Sequence, residues 1–174
     1  MKHNRICRVL TTLTLLLATS AQALPEDRSQ PIRITADSAT RDERSGETRY
    51  SGNVVLTQGT LQIAADEVIV AHTTEDANTI VATGSPATLT QKPAEDQSPV
   101  NAQAGRIQYQ RDLDQVTLTE NARIEQDGAI VTGAIINYLV TEQRVKATGD
   151  GSTKEGQRVE VIIPPSALDG GDTP

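Results

Sequence analysis

"SGNVVLTQGTLQIAADEVIV", Ser51 to Val70, is the stretch that decides the fold. Val54, Leu56, Leu61, Ile63, Val68 and Val70 recur two apart, with shifts of phase at Gly59 and at Asp66-Glu67. A strand sends successive side chains to opposite faces, so a period of two makes one apolar face and one polar face. The residues between are small and polar, and none is a nucleophile with a base beside it. The segment reads as half-buried sheet, not as reaction chemistry.

The same alternation continues along the chain. "RIQYQ" puts Ile107 and Tyr109 on one side, and "QVTLTENARIEQ" does so for Val116, Leu118, Ala122 and Ile124. "RVEVII" aligns Val159, Val161 and Ile163. Beyond residue 23 no apolar stripe at helical spacing is long enough for a stable helix, and one short turn near "LPEDRSQ" is the most the N-terminal region supports. A unit also repeats. Small pairs open it at Ala36-Asp37, Ala65-Asp66, Ala104-Gly105 and Gly133-Ala134, spaced 29, 39 and 29 residues apart. "YSGNV", "ATGSPA", "LTENA" and "ATGDG" close it, and the longer interval holds the polar insertion "QKPAEDQSP".

Turn signals punctuate the chain at Ser45-Gly46, Gln58-Gly59, Gly84-Ser85-Pro86, Asp127-Gly128 and Gly149-Asp150-Gly151. Pro86 lacks a ladder donor and belongs at a corner. Connections this short join antiparallel strands. The expectation is an all-β sandwich, jelly roll or barrel of about 14 to 16 short strands.

Composition narrows the class. Lys2, Arg5 and Arg8 precede the apolar run Val9 to Ala18, and Ala21-Gln22-Ala23 supplies a small-x-small cleavage site. Residues 1–23 are therefore expected to be a signal peptide, the run being too short to span a bilayer. Residues 24–163 follow as one domain and residues 164–174 as a flexible tail. Cys7 is the only cysteine and leaves with the peptide, so neither a disulfide nor a thiolate site is expected afterwards. Losing those three cations leaves thirteen Lys and Arg against 23 Asp and Glu, a net charge of −10. That balance opposes nucleic acid, whose binding rests on neutralising phosphate. Val, Ile and Leu number 12, 12 and 8 after residue 23, and 24 of these 32 are β-branched. With no Phe and no Trp, the core is thin and strand-forming.

Catalytic and metal chemistry find little support. His72 stands without a His or Cys companion at ligand spacing, so no metal site is expected. Asp66 and Glu67 are adjacent, which on a strand aims them at opposite faces, and a solvated turn is the simpler reading. No cofactor and no catalytic residue is expected, and the chain reads as a non-enzyme. Arg33, Arg41, Arg44 and Arg49 could meet phosphates at a groove mouth, but interleaved Asp37, Asp42, Glu43 and Glu47 fit a solvated charged face equally. The first strand, around Ile32 to Ala36, and the last, Val159 to Ile163 before Pro164-Pro165, carry no evident cap. Either loops cover these edges, or they pair with each other, or they accept strands from partner chains.

"QPIRITAD", "GNVVLTQGTLQIAADEVIV", "GSPATLTQ", "NYLVTEQRVKA" and "GQRVEVIIPPSAL" together resemble the LptA/OstA-like family of periplasmic lipopolysaccharide-transport proteins, nearly continuously from Gln30 to Leu168. The resemblance implies an open, twisted, V-shaped antiparallel β-jelly roll with an apolar interior. It also implies a periplasmic carrier and bridge that shields lipid A acyl chains in that interior. Carried onto this sequence, the groove comprises Ile32, Ile34, Tyr50, Val54, Leu56, Leu61, Ile63, Val68, Leu89, Ile107, Tyr109, Leu118, Ile124, Ile136 and Tyr138. The partner edges comprise Ile32, Arg33, Ile34, Thr35 and Ala36 at one end and Val159, Glu160, Val161, Ile162 and Ile163 at the other. The implied partners are lipopolysaccharide, a membrane-anchored LptC-like protein at the N-terminal edge, an LptD-like outer-membrane translocon at the C-terminal edge, and further copies head to tail. A structural β-repeat module that binds no lipid is the competing reading.

Overall fold

The computed structural model describes residues 27–73, 77–150 and 158–165. The expected signal peptide, Gly151, the tail beyond Pro165 and the side chain of His72 lie outside what is described. A 3-10 turn, Asp27–Ser29, opens the fold where "LPEDRSQ" suggested one. Ten strands follow: β1 Arg33–Thr35, β2 Ser38–Asp42, β3 Glu47–Gln58, β4 Leu61–Thr73, β5 Ala77–Gln91, β6 Val100–Gln110, β7 Gln115–Gln126, β8 Ala129–Leu139, β9 Arg144–Thr148 and β10 Glu160–Ile162. A second 3-10 turn, Arg111–Leu113, joins β6 to β7. All pairings are antiparallel, in the order β1-β3-β4-β5-β6-β7-β8-β10, with β2 also on β3 and β9 also on β8.

Ten is fewer than the 14 to 16 strands expected, and the reason is physical. Each of the six long strands crosses an interruption of the ladder, between Ser51 and Val54 in β3, Ala64 and Glu67 in β4, Thr83 and Ala87 in β5, and Gln103 and Arg106 in β6. In β7 it falls between Thr119 and Ala122, opposite Gly133–Ile135 of β8. Counting the twelve arms so produced with the four short strands gives sixteen segments. The sequence rhythm reports arms; hydrogen bonding joins arms into long strands.

The interruptions lie in register across the sheet and coincide with the openings and closings of the repeat. On β4, β6 and β8 one extra residue separates inward side chains, giving Ala65 then Val68, Ala104 then Ile107, and Gly133 then Ile136. On β3 and β7 two left-handed residues make the turn, Gly52-Asn53 and Glu120-Asn121. β5 uses Gly84-Ser85-Pro86 with a cis Ser85-Pro86 bond, so this signal marks a bulge inside one strand, not a link between two. Such bulges bend a strand sharply. The sheet therefore folds over on itself into two arms. One contains β1, β10 and the halves of β3–β8 nearest the 58–61 and 126–129 turns; the other contains β2, β9 and the opposite halves.

The corner is packed without slack. A Cβ on Gly52 would collide with the carboxylate of Asp37, which also accepts a bond from Asn53 Nδ2 at 2.8 Å. A Cβ on Gly105 would lie 2.6 Å from Glu120 Oε2. Between the arms sits one apolar cluster, running from Val54 and Leu56 through Ile80, Ala102 and Tyr109 to Ile136 and Tyr138. The first and last strands do not pair with each other, so the sheet is open.

Candidate functional site

The inner face brings together the residues singled out from the sequence. Val54, Leu56, Leu61, Ile63, Val68, Leu89, Ile107, Tyr109, Leu118, Ile124, Ile136 and Tyr138 are all at most 3% exposed and share one cluster. Ile32, Ile34 and Tyr50 are half-buried and pack against it from the N-terminal end. Sequence reasoning missed Ile80, Ala82, Ala87, Val100, Ala102 and Ala104 as lining residues, although all belong to the cluster. The same two-residue period marks them, read past a bulge. In this state the interior is filled by its own side chains, so it is a closed apolar seam between two arms.

The ends differ from the middle. β1 and β2 form one edge and β9 and β10 the other. Arg33–Thr35 reads exposed, half-buried, exposed, while Glu160–Ile162 is exposed throughout. Sequence reasoning named β1 and β10 and missed β2 and β9, which double each edge because each arm has its own terminal strand. The C-terminal end is the greasier one: Val145, Val159, Val161, Ile162 and Ile163 stand exposed there, with Val161 opposite Val131. Of Arg33, Arg41, Arg44 and Arg49, the first lies on one arm and the other three on the β2–β3 hairpin of the other arm. Arg33 lies on the β1 arm, Arg41 pairs with Glu43 at 2.6 Å, and Arg49 pairs with Glu67 at 2.5 Å across β3 and β4.

Polar side chains concentrate along the free rims of the arms, opposite the corner. On one rim Asp114, in the left-handed region after the second 3-10 turn, accepts from Tyr109 Oη at 3.3 Å and Thr141 Oγ1 at 2.5 Å. Its backbone carbonyl accepts from the Val140 amide. On the other rim Asp27 accepts from the Thr60 amide at 2.7 Å, from Thr60 Oγ1 at 2.6 Å and from Gln91 Nε2 at 3.3 Å. Tyr138 Oη donates to Gln91 Oε1 at 3.1 Å, which ties one rim to the other. Burial, then the nearby charges of Asp114 and Asp27, push the Tyr138 phenol up to about 12. Burial, followed by the charge and hydrogen bond of Asp114, raises Tyr109 well above the ordinary tyrosine value. Both phenols thus remain protonated donors at neutral pH. Sequence reasoning places both tyrosines on the inner face but gives no sign of their partners: Gln91 is 47 residues from Tyr138, and Asp114, five residues from Tyr109, is brought back to it only by the 3-10 turn between them.

An open, two-armed sheet with an apolar inner face and two bare edges invites comparison with known proteins. The family described as LptA/(LptD N-terminal domain) LPS transport protein matches residues 33–144. The lipopolysaccharide export system protein LptA of Haemophilus influenzae is 33% identical over 165 residues, covering 92% of this chain and 93% of that protein. The chain belongs to the LptA/LptD N-terminal-domain family. LptH of Pseudomonas aeruginosa, also a lipopolysaccharide export system protein, is 37% identical over 158 residues, covering 88% of this chain and 90% of its own. LptA of Escherichia coli K12 is 35% identical over 171 residues, covering 96% and 90%. The crystal structure of Pseudomonas aeruginosa LptH, described as the LptA-homologous periplasmic component of a lipopolysaccharide transport device, superimposes with a TM-score of 0.73 at 35% identity. It covers 81% of this chain and 100% of that one. The matched region 33–144 spans β1 to the start of β9, so membership in the LptA/LptD N-terminal-domain family rests on both arms and the corner between them.

Proposed function

We propose that this chain is a periplasmic carrier and bridge for lipopolysaccharide, holding lipid A acyl chains between its two arms while the sugars remain in water. The single observation that carries this reading is the continuous apolar inner face of an unclosed sheet, running from half-buried Ile32 and Ile34 at one end to exposed Val145 and Val161 at the other. Each acyl methylene withdrawn from water gains ~0.8 kcal/mol, so a chain of a dozen gains roughly 10 kcal/mol. That is enough to offset parting the seam, since the apolar surface exposed is covered again by the lipid. Contacts with β-branched side chains are non-directional, which lets the cargo slide instead of lodging in one place.

The edges supply the assembly. β1 and β2 accept a strand from a membrane-anchored LptC-like protein, β9 and β10 offer one to an LptD-like translocon, and copies join head to tail by the same pairing. The exposed edge strands, whose outer hydrogen-bonding side faces no neighbour among the described residues, support this arrangement. A photoreactive residue at Leu56 or Tyr109 in living cells tests the carrier reading. Adducts with lipopolysaccharide are expected from these inward positions and not from outward Gln62. No adduct from any inward position would favour a structural β-repeat module that carries nothing.

A further inference from the structure

We propose that Asp27, Gln91 and Tyr138 form a releasable side clasp, and that hydrocarbon chains enter between the arms sideways, through the rims this clasp holds together. The cargo's identity rests on the proposed function; the clasp rests on geometry of its own.

The interior is dry along the flank as well as in the middle. Tyr138 is 2% exposed and Gln91 4% exposed, although both lie near the free ends of their arms. The N-terminal turn holds Gln91 directly and Tyr138 through it. Gln91 is shared: its oxygen accepts from Tyr138 on one arm while its amide nitrogen donates to Asp27 on the other side. Asp27 in turn is fastened by the Thr60 amide and hydroxyl at the β3–β4 turn, and the Gln30 carbonyl accepts from Gln58 Nε2 at 3.0 Å. Gly59 makes room, since a Cβ there would collide with the Asp27 carboxylate. Six residues drawn from the first turn and Gln30 after it, the end of β3, the β3–β4 turn, the end of β5 and the end of β8 thus close one stretch of the flank.

What holds the turn down is almost wholly polar. Of the turn's described side chains, neither Asp27 nor Ser29 belongs to the apolar cluster. The turn's release therefore exposes little apolar surface and gives up a few hydrogen bonds, each of modest net value because water replaces the partner. The residues uncovered are the reverse: Tyr138 and the inner face behind it, among them Val100, which pairs with Gln91 across β5 and β6. A polar latch over an apolar seam opens cheaply to water and closes again unless something apolar has entered. Hydrocarbon is the ligand chemistry that fits such an opening.

The test uses the purified protein with Cys7→Ser and a single reporter, Ala102→Cys, on the inner face. Tyr138→Phe removes the bond between the rims and keeps the ring; Asp27→Ala frees the turn. Each is expected to raise the rate of maleimide attack on residue 102 about five- to tenfold, the change that loss of one such hydrogen bond gives to a local opening. Thr141→Ala deletes a bond to Asp114 on one rim alone and should leave that rate unchanged, even if it lowers overall stability as much. Equal rates in all four proteins, or an equal rise in Thr141→Ala, overturns the clasp. In a second arm, Gln91→Cys and Tyr138→Cys are joined by a short bis-maleimide and offered lipid A in mixed detergent micelles. The unjoined protein should take up lipid A and the joined one should not. Uptake at the same rate by both overturns sideways entry and leaves the ends as the route; uptake by neither overturns the carrier reading instead.

Discussion

Replacing Gly52 by alanine probes the corner at its tightest point. Gly52 has φ +81°, and an added Cβ there meets the Asp37 carboxylate that Asn53 also holds. The left-handed backbone costs an L-residue about 1 kcal/mol or somewhat more. Displacing Asp37 gives up its bond to Asn53 Nδ2, about 1 kcal/mol net. The two effects together predict a loss of roughly 2–3 kcal/mol, a large share of the ~5–15 kcal/mol by which domains are stable. For a domain of this size each kcal/mol moves the midpoint by ~2–4 °C, so a drop of roughly 5–10 °C is expected. Urea unfolding at constant slope, with calorimetry beside it, measures the change. The decisive comparison repeats the substitution in an Asp37→Gly background, where the carboxylate and the Cβ of residue 37, both within 3.0 Å of the added methyl, are gone and only the backbone penalty of about 1 kcal/mol should remain. Equal effects in both backgrounds would refute the argument that the corner is set by this contact.

Three further outcomes follow from the same geometry. Ile107→Ala, at a position 0% exposed, should lose ~2–4 kcal/mol in urea unfolding, while Ile69→Ala on the outward face of β4 should lose less than ~1.5 kcal/mol. Val161→Pro should shrink concentration-dependent assemblies seen by light scattering, because an exposed edge strand loses a ladder donor; profiles unchanged by concentration and by the substitution would exclude edge pairing. Because the folded phenol of Tyr138 titrates at about 12 against 10.0 when unfolded, the stability tied to its protonated form is complete below pH 10 and lost between pH 10 and 12. Unfolding free energies across that range, compared with Tyr138→Phe, should show a shallower decline in the variant, and phenolate absorbance should rise late.

Legibility in the sequence followed locality. The period of two named the inner face, since alternation is a property of neighbouring residues, and all fifteen groove positions fall in or against one cluster. The small pairs mark where the repeat unit opens, but that Ala65-Asp66, Ala104-Gly105 and Gly133-Ala134 lie at a corner is seen only in the structure, where a Cβ on Gly105 or Gly133 would crowd a neighbour. The repeat was read correctly as a unit and its arms were counted as strands, for nothing local says whether a ladder continues through a bulge. β2 was not named from the sequence, for "SATRD" has no apolar alternation to read and is exposed on every residue. Its pairing with β3 comes from the hairpin, not from a hidden face. Least legible were the rim contacts. Asp27 to Thr60 spans 33 residues and Tyr138 to Gln91 spans 47, and no spacing rule reaches that far.

The alignment of the interruptions has a mechanical consequence. Ladder bonds are already missing along one line through β3 to β8, from Gly52 to Ala134, so the sheet has a ready-made spine like that of a book. Opening the covers would bend the backbone where ladder pairs are interrupted and need not unzip any strand from its neighbour. A change of angle at that spine would alter the girth of the molecule while keeping the contour of both end strands.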